Sequence, residues 1–152
     1  MRRILLVLVG VFSASGALSQ SGGVTAEFDE RGAVLCYWQI MITVKVFGDR
    51  CRVGQDETFR NFVDEAISET DNFIITNALA TEEAVGQAKA AIYQLYSEPC
   101  LTVNCSRRFN VCESRDYQKL YEGLRVREIS SLRIGLKEFL SVPRKPVMNP
   151  CL

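Results

Sequence analysis

The sequence predicts an all-α protein: a disulfide-stapled four-helix bundle, its last helix kinked or split, behind an N-terminal signal peptide. Three observations carry this prediction. Apolar residues recur at helical spacing over long stretches, six cysteines are spread over the chain, and the first 19 residues have the build of an export leader.

The leader opens with Arg2-Arg3, continues through the apolar run Ile4 to Phe12 and ends in the small residues Ser13 to Ser19. Cleavage is expected after Ser19, leaving residues 20–152 as a single helical domain. The apolar run is about half of the roughly 20 residues needed to span a bilayer. Ala33 to Phe47 is interrupted by Lys45 and followed by Gly48-Asp49-Arg50, so no transmembrane segment is expected there either.

The first helix is expected to open near Asp29, whose carboxylate suits a helix entrance, and to end at Gly48. Ala33 to Phe47 is ambiguous. Ala33, Cys36, Tyr37, Ile40, Val44 and Phe47 keep a helical period, whereas Ile40, Ile42, Thr43, Val44 and Val46 form a β-branched cluster suited to a strand. Helix is preferred, because no second strand pattern is present to pair with a lone strand.

Asp56 to Asn77 gives the clearest helical signal, with Phe59, Phe62, Val63, Ala66, Ile67, Thr70, Phe73 and Ile74 on one stripe. A third helix runs from the N-cap Thr81 to about Ser97, where Pro99 forbids continuation; Val85, Ala88, Ile92, Leu95 and Tyr96 are its expected buried face. Ser114 is the expected cap of the last helix. That helix should break near Ser130-Ser131, where Glu128 and Ser131 fall on the apolar side, and Pro143 should end it. The tail 143–152 should be extended, and loose unless Cys151 ties it down.

Between the third and last helices lies the Cys-rich loop 99–114. It holds Cys100, Cys105 and Cys112, while Cys36, Cys51 and Cys151 are dispersed. An even count in an exported chain predicts three disulfides, which 15 pairings would satisfy. Antiparallel packing puts the exit of the first helix beside the loop. The expected pairs are therefore Cys51 with one loop cysteine, Cys36 with Cys151, and the remaining two loop cysteines with each other. A zinc site is not expected, since there is neither a Cys-x2-Cys spacing nor a histidine.

The absence of histidine removes imidazole-dependent triads and His-bound metal hydrolysis in their usual forms. No phosphate loop or EF-hand pattern occurs, so no cofactor is expected. Asp64, Glu65, Glu69 and Asp71 offer carboxylate pairs for a glycan hydrolase, but a solvated helix face is the simpler reading.

The chain has 18 basic and 18 acidic side chains, and loss of Arg2 and Arg3 leaves it acidic by about two charges, which argues against nucleic acid as a partner. The charge is uneven: 6 basic and 13 acidic residues from Ser21 to Glu98, then 10 basic and 5 acidic to the end. Arg107, Arg108 and Phe109 in the loop, with Arg125 and Arg127 beyond it, form the candidate binding residues for an anionic protein partner. Pairing of the arginines with the acidic first half is the competing expectation. Asn104-Cys105-Ser106 matches a glycosylation acceptor, which bridging of Cys105 would hinder. The sequence thus predicts a periplasmic or secreted helical binding protein rather than an enzyme. A carboxylate-dependent glycan hydrolase and a structural envelope component are the alternatives.

Overall fold

The computed structural model describes residues 29–78, 80–97 and 110–149. The leader 1–19, Arg107, Arg108 and Phe109, Cys100, Cys105 and Cys151 lie outside the described residues. Among those described, the protein is all-helical: α1 (Val34–Cys51), α2 (Glu57–Ala78), α3 (Glu82–Ser97), a 3-10 turn (Val111–Glu113), α4 (Arg115–Arg125) and α5 (Ile129–Leu140). None of these helices is long and apolar enough to cross a membrane.

α1 is the central element. α2, α3, α4 and the 3-10 turn all pack on it, while α5 packs on α2. Its buried residues, among them Val34, Trp38, Met41, Ile42, Thr43, Val44, Val46 and Phe47, go round the helix rather than along one stripe. A helix covered on every side has little amphipathic period, and so this segment is ambiguous in sequence. Thr43 is accommodated because its hydroxyl donates to the Gln39 carbonyl at 2.9 Å.

α1 also runs past Gly48, the position expected to end it. A Cβ built on Gly48 would meet Cε2 of Tyr121 at 3.1 Å, so the missing side chain admits a packed ring rather than a helix stop. Nor does Asp29 cap the helix. Its carboxylate accepts from the Arg31 amide, and its carbonyl from the Gly32 amide at 2.9 Å, which makes a turn that needs Gly32 at φ 102°.

α2 buries all eight residues of its expected stripe. Thr81 caps α3, accepting from the Ala84 amide at 3.2 Å. The inner face of α3 matches the expected one in part. Val85 is buried and Ile92 packs against the core as expected, but Ala88 is exposed and Leu95 is 69% exposed, and Lys89 and Tyr93 turn inward. α3 is rotated this way because Lys89 and Tyr93 bond carboxylates on α2 and α1.

The last helical pattern is split, as its phase shift implied, with the break at Val126–Glu128 rather than Ser130-Ser131. Glu128 is extended (ψ 129°) and stands at the N-cap of α5, where its charge suits the helix dipole. Restarting the helix resets its phase, which explains why Glu128 and Ser131 fall on the apolar side of a continuous projection. α5 ends at Leu140, ahead of Pro143. The tail is extended but held: Pro146 and Val147 are buried, Val147 accepts from the Leu35 amide at 3.0 Å, and Asn149 accepts from the Asp29 amide at 3.1 Å.

Candidate functional site

Two places combine exposure with fixed geometry. The first is the end of the molecule where α1 exits. There Cys51 is bridged to Cys112 with Cα atoms 5.5 Å apart, one of the loop pairings that antiparallel packing predicts. Cys36 is also disulfide-bonded. The expected pairing of Cys36 with Cys151 falls on a residue outside those described.

Beside the Cys51–Cys112 bridge, the turn Arg52–Asp56 meets the last turn of α4. Arg52 Nη2 donates to Glu122 Oε1 at 2.7 Å, and Arg125 Nε donates to Glu122 Oε2 at 2.8 Å. The Arg125 hydrogen bond, with Arg52 adding its charge, holds Glu122 below the usual carboxylate range. Arg125 Nη1 also lies 3.6 Å from Asp56 Oδ1, while Tyr121 Oη donates to Asp56 Oδ2 at 3.3 Å. Burial, and then the Asp56 charge, push the Tyr121 hydroxyl up to about 12, so it remains a donor across the ordinary pH range. Asp56 itself sits at φ 53°, a left-handed conformation that aspartate tolerates better than most residues.

The network presents two apolar side chains to solvent. Val53 follows Arg52 and is 72% exposed, and Val126 follows Arg125 and is 71% exposed. Arg125, singled out in the sequence, is engaged internally, and Arg133 pairs with Glu65 across α5 and α2 at 2.7 Å. Arg115 and Arg127 are exposed and make no ion pair with a described residue.

The second place is a groove of about 390 Å³ between α1, α2 and α3, with Ile42 and Ile67 on its apolar side and Lys45, Asp64, Asp71 and Lys89 among its polar lining. Lys45 Nζ lies 2.8 Å from Asp64 Oδ1 and 3.2 Å from Asp49 Oδ2. Asp49 further accepts from Arg60 and from the Tyr93 hydroxyl, both at 2.6 Å. Burial works to raise the pKa of Asp49, but the bonds from Tyr93, Arg60 and Lys45 outweigh it and hold the carboxyl below its ordinary value. Asp71 accepts from Trp38 Nε1 at 2.6 Å on one oxygen and from Lys89 on the other.

This groove was not singled out in the sequence. The available signal was Asp64, Ser68 and Asp71 at intervals of four and three on α2, opposite Lys89 and Tyr93 at an interval of four on α3, two polar stripes at helical spacing. No group of three or more metal-ligating side chains is assembled among the described residues. Comparison with protein-family models, with curated proteins and with solved structures finds no match to this chain.

Proposed function

We propose that the chain is an exported binding protein, periplasmic or secreted, which docks an acidic protein partner on the end face around Val53 and Val126. In this reading residues 1–19 are removed on export and three disulfides brace a four-helix bundle whose fourth member is the split pair α4–α5. The observation that carries it is the juxtaposition of two valines, each more than 70% exposed, with a bridge and an ion-pair network that fix the backbone beneath them. Apolar anchors on a preorganised support, with cations at the rim, are what a protein interface needs. Arg127 and Arg115 supply exposed positive charge. The candidate loop residues Arg107, Arg108 and Phe109 directly precede Asn110, where the chain enters the 3-10 turn.

Carboxylate-dependent hydrolysis is the lesser reading. A general acid needs a raised pKa, and Asp49, the most buried carboxylate in the Lys45 cluster, is shifted the other way.

The test is affinity capture from periplasm or medium with the mature protein, the double variant Val53→Asp/Val126→Asp and the double variant Arg107→Ala/Arg108→Ala. Both variants should lose the partner that wild type captures, while Ile134→Asp, an exposed change on α5, keeps it. Retention of that partner by Val53→Asp/Val126→Asp, with the far-UV spectrum unchanged, would rule out the end face.

A further inference from the structure

α1 carries two bridged cysteines in opposite surroundings. Cys36, in its first turn, is 2% exposed. Cys51, its last residue, is half-buried and tied to Cys112, which is exposed on the 3-10 turn. Thiol–disulfide exchange needs a thiolate to reach one sulfur and the other sulfur to leave as a thiolate. The core keeps a nucleophile from the Cys36 sulfur. Attack on the sulfur bonded to it would expel Cys36 as a thiolate into an apolar site, where lost solvation raises its pKa and makes it a poor leaving group. The Cys51–Cys112 bridge meets neither obstacle. Cys112 stands open to solvent, and Cys51 is only half-buried, with the cations Arg50 and Arg52 as its chain neighbours.

Opening this bridge leaves its supports in place. Val111, next to Cys112, is buried at 1% exposure and pins the 3-10 turn to the core. Asn110 closes the same turn, accepting from the Cys112 amide at 3.1 Å and donating to Glu113 Oε1 at 2.9 Å. On the other side of the bridge, Arg52 keeps its bond to Glu122 and Asp56 keeps the Tyr121 hydroxyl. Two thiols released here therefore stay close together and can rejoin. What is lost is the covalent tie between the exit of α1 and the 3-10 turn. The parts that loosen are the two short stretches it joins, residues 51–56 and 110–114.

From this we infer that the Cys51–Cys112 bridge is a redox-controlled latch, opened at Cys112 by a dithiol and reclosed by a disulfide oxidant, with the helical fold surviving both. In the opening step a thiolate of the dithiol attacks Cys112 Sγ; the bond between the two cysteines breaks, and its electron pair goes to Cys51 Sγ, which takes a proton from water. The second thiolate of the dithiol then attacks its own sulfur in the mixed disulfide and expels Cys112, which is protonated in turn. Two electrons pass to the protein, and the dithiol ends as a disulfide. The latch works whether or not a partner docks on the end face.

The experiment is timed reduction of the mature, disulfide-intact protein with dithiothreitol, with samples quenched in acid, alkylated with N-ethylmaleimide and mapped by mass spectrometry. Cys51 and Cys112 should become labelled together, about tenfold or more faster than Cys36, and in concentrated urea that difference should vanish. Equal or faster labelling of Cys36 in the folded protein overturns the inference, and so does a preference that persists in urea. Amide hydrogen exchange in the reductant then reads the structural effect. It should quicken at Gln55 and Glu113, whose amides bond within the two loosened stretches, and stay slow along the core of α1 and α2. Loss of protection along both helices would make the bridge a staple of the whole fold, and unchanged exchange at Gln55 and Glu113 would make it silent; either result removes the latch. Oxidised glutathione should restore the Cys51–Cys112 pair and the original exchange pattern, and recovery of other pairings in its place counts against reclosure.

Discussion

Gly48 and Tyr121 are packed so closely that any side chain at position 48 displaces the ring: a Cβ there lies 3.1 Å from Cε2. Tyr121 has no room to yield. It is fully buried, with Phe47 and Phe59 at centroid distances of 5.2 Å. Gly48→Ala gains about 1 kcal/mol of helix propensity but overpacks the core at a cost of about 1 to 3 kcal/mol. The expected outcome is a net loss of about 1 kcal/mol, and a larger loss for Gly48→Val. Urea unfolding checks it. An unchanged or raised midpoint for Gly48→Ala would show that the ring moves aside.

Arg144 gathers four parts of the chain at the other end of the molecule. It pairs with Asp29, donates to the carbonyls of Phe139 (2.8 Å), Val142 (3.1 Å) and Gly32 (3.4 Å), and lies over the rings of Phe73 and Phe139 at 5.3 and 5.0 Å. Both partners are nearly buried, at 13% and 10% exposure. Arg144→Ala is expected to cost about 3 kcal/mol, and Arg144→Lys to recover little of it, because an ammonium cannot make the forked bonds or stack between rings.

The same pair predicts a pH dependence. Burial acts to raise the pKa of Asp29, but the Arg144 hydrogen bond and charge, with the Arg31 amide, outweigh it and hold the carboxyl below 3.8. The unfolded chain then binds the proton first, so the contribution of the pair is present above about pH 4 and is lost as pH falls through the lowered folded value. The stability gap between wild type and Asp29→Asn should therefore be constant from pH 5 to 7 and close below pH 4. A gap that persists unchanged at pH 2 would remove Asp29 as its source.

What the sequence made legible follows from how each element is covered. α2 shows its whole buried stripe because one side meets the core and the other meets water, which is the case a helical period describes. α1 shows only part of its own: Cys36, Val44 and Phe47 of its periodic residues are buried, but so is Val46, at 0% exposure, which lies off that stripe. Gly48 and Asp29 were misread for a different reason. Local rules assign glycine to helix ends and aspartate to helix starts, whereas Tyr121 and Arg144, 73 and 115 residues away, decide what these two do. The groove was hidden likewise. Asp71 looks like a solvated carboxylate until Trp38 and Lys89 are brought to it from two other helices.

Asp71 carries the next prediction. Trp38 is 6% exposed, and its indole N–H has its bond to Asp71 at 2.6 Å. Asp71→Asn keeps an acceptor for the indole and should cost less than about 1 kcal/mol. Asp71→Leu leaves a buried donor without a partner and should cost about 2 kcal/mol. The comparison is made by thermal unfolding monitored at the fluorescence of Trp38; equal losses for the two variants would show that Lys89, which both deprive of its counter-charge, is the partner that matters.

The bridge between Cys51 and Cys112 spans 61 residues of chain, and chain-entropy arithmetic assigns such a loop about 4 kcal/mol of stability through the unfolded state. The surroundings do not depend on it. Val111 and Tyr121 remain buried on α1 and the Arg52–Glu122 pair remains formed, so Cys51→Ala/Cys112→Ala should fold to the same helix content. It should unfold at a lower urea concentration by the equivalent of about 3 to 4 kcal/mol, with an increased slope because the unfolded chain is less compact. The proposed end face makes a further demand: a folded double-alanine variant should hold its partner less tightly, since the turn bearing Val53 has lost its covalent anchor. Undiminished capture by that variant would leave the ion pairs, not the bridge, as what orders the face.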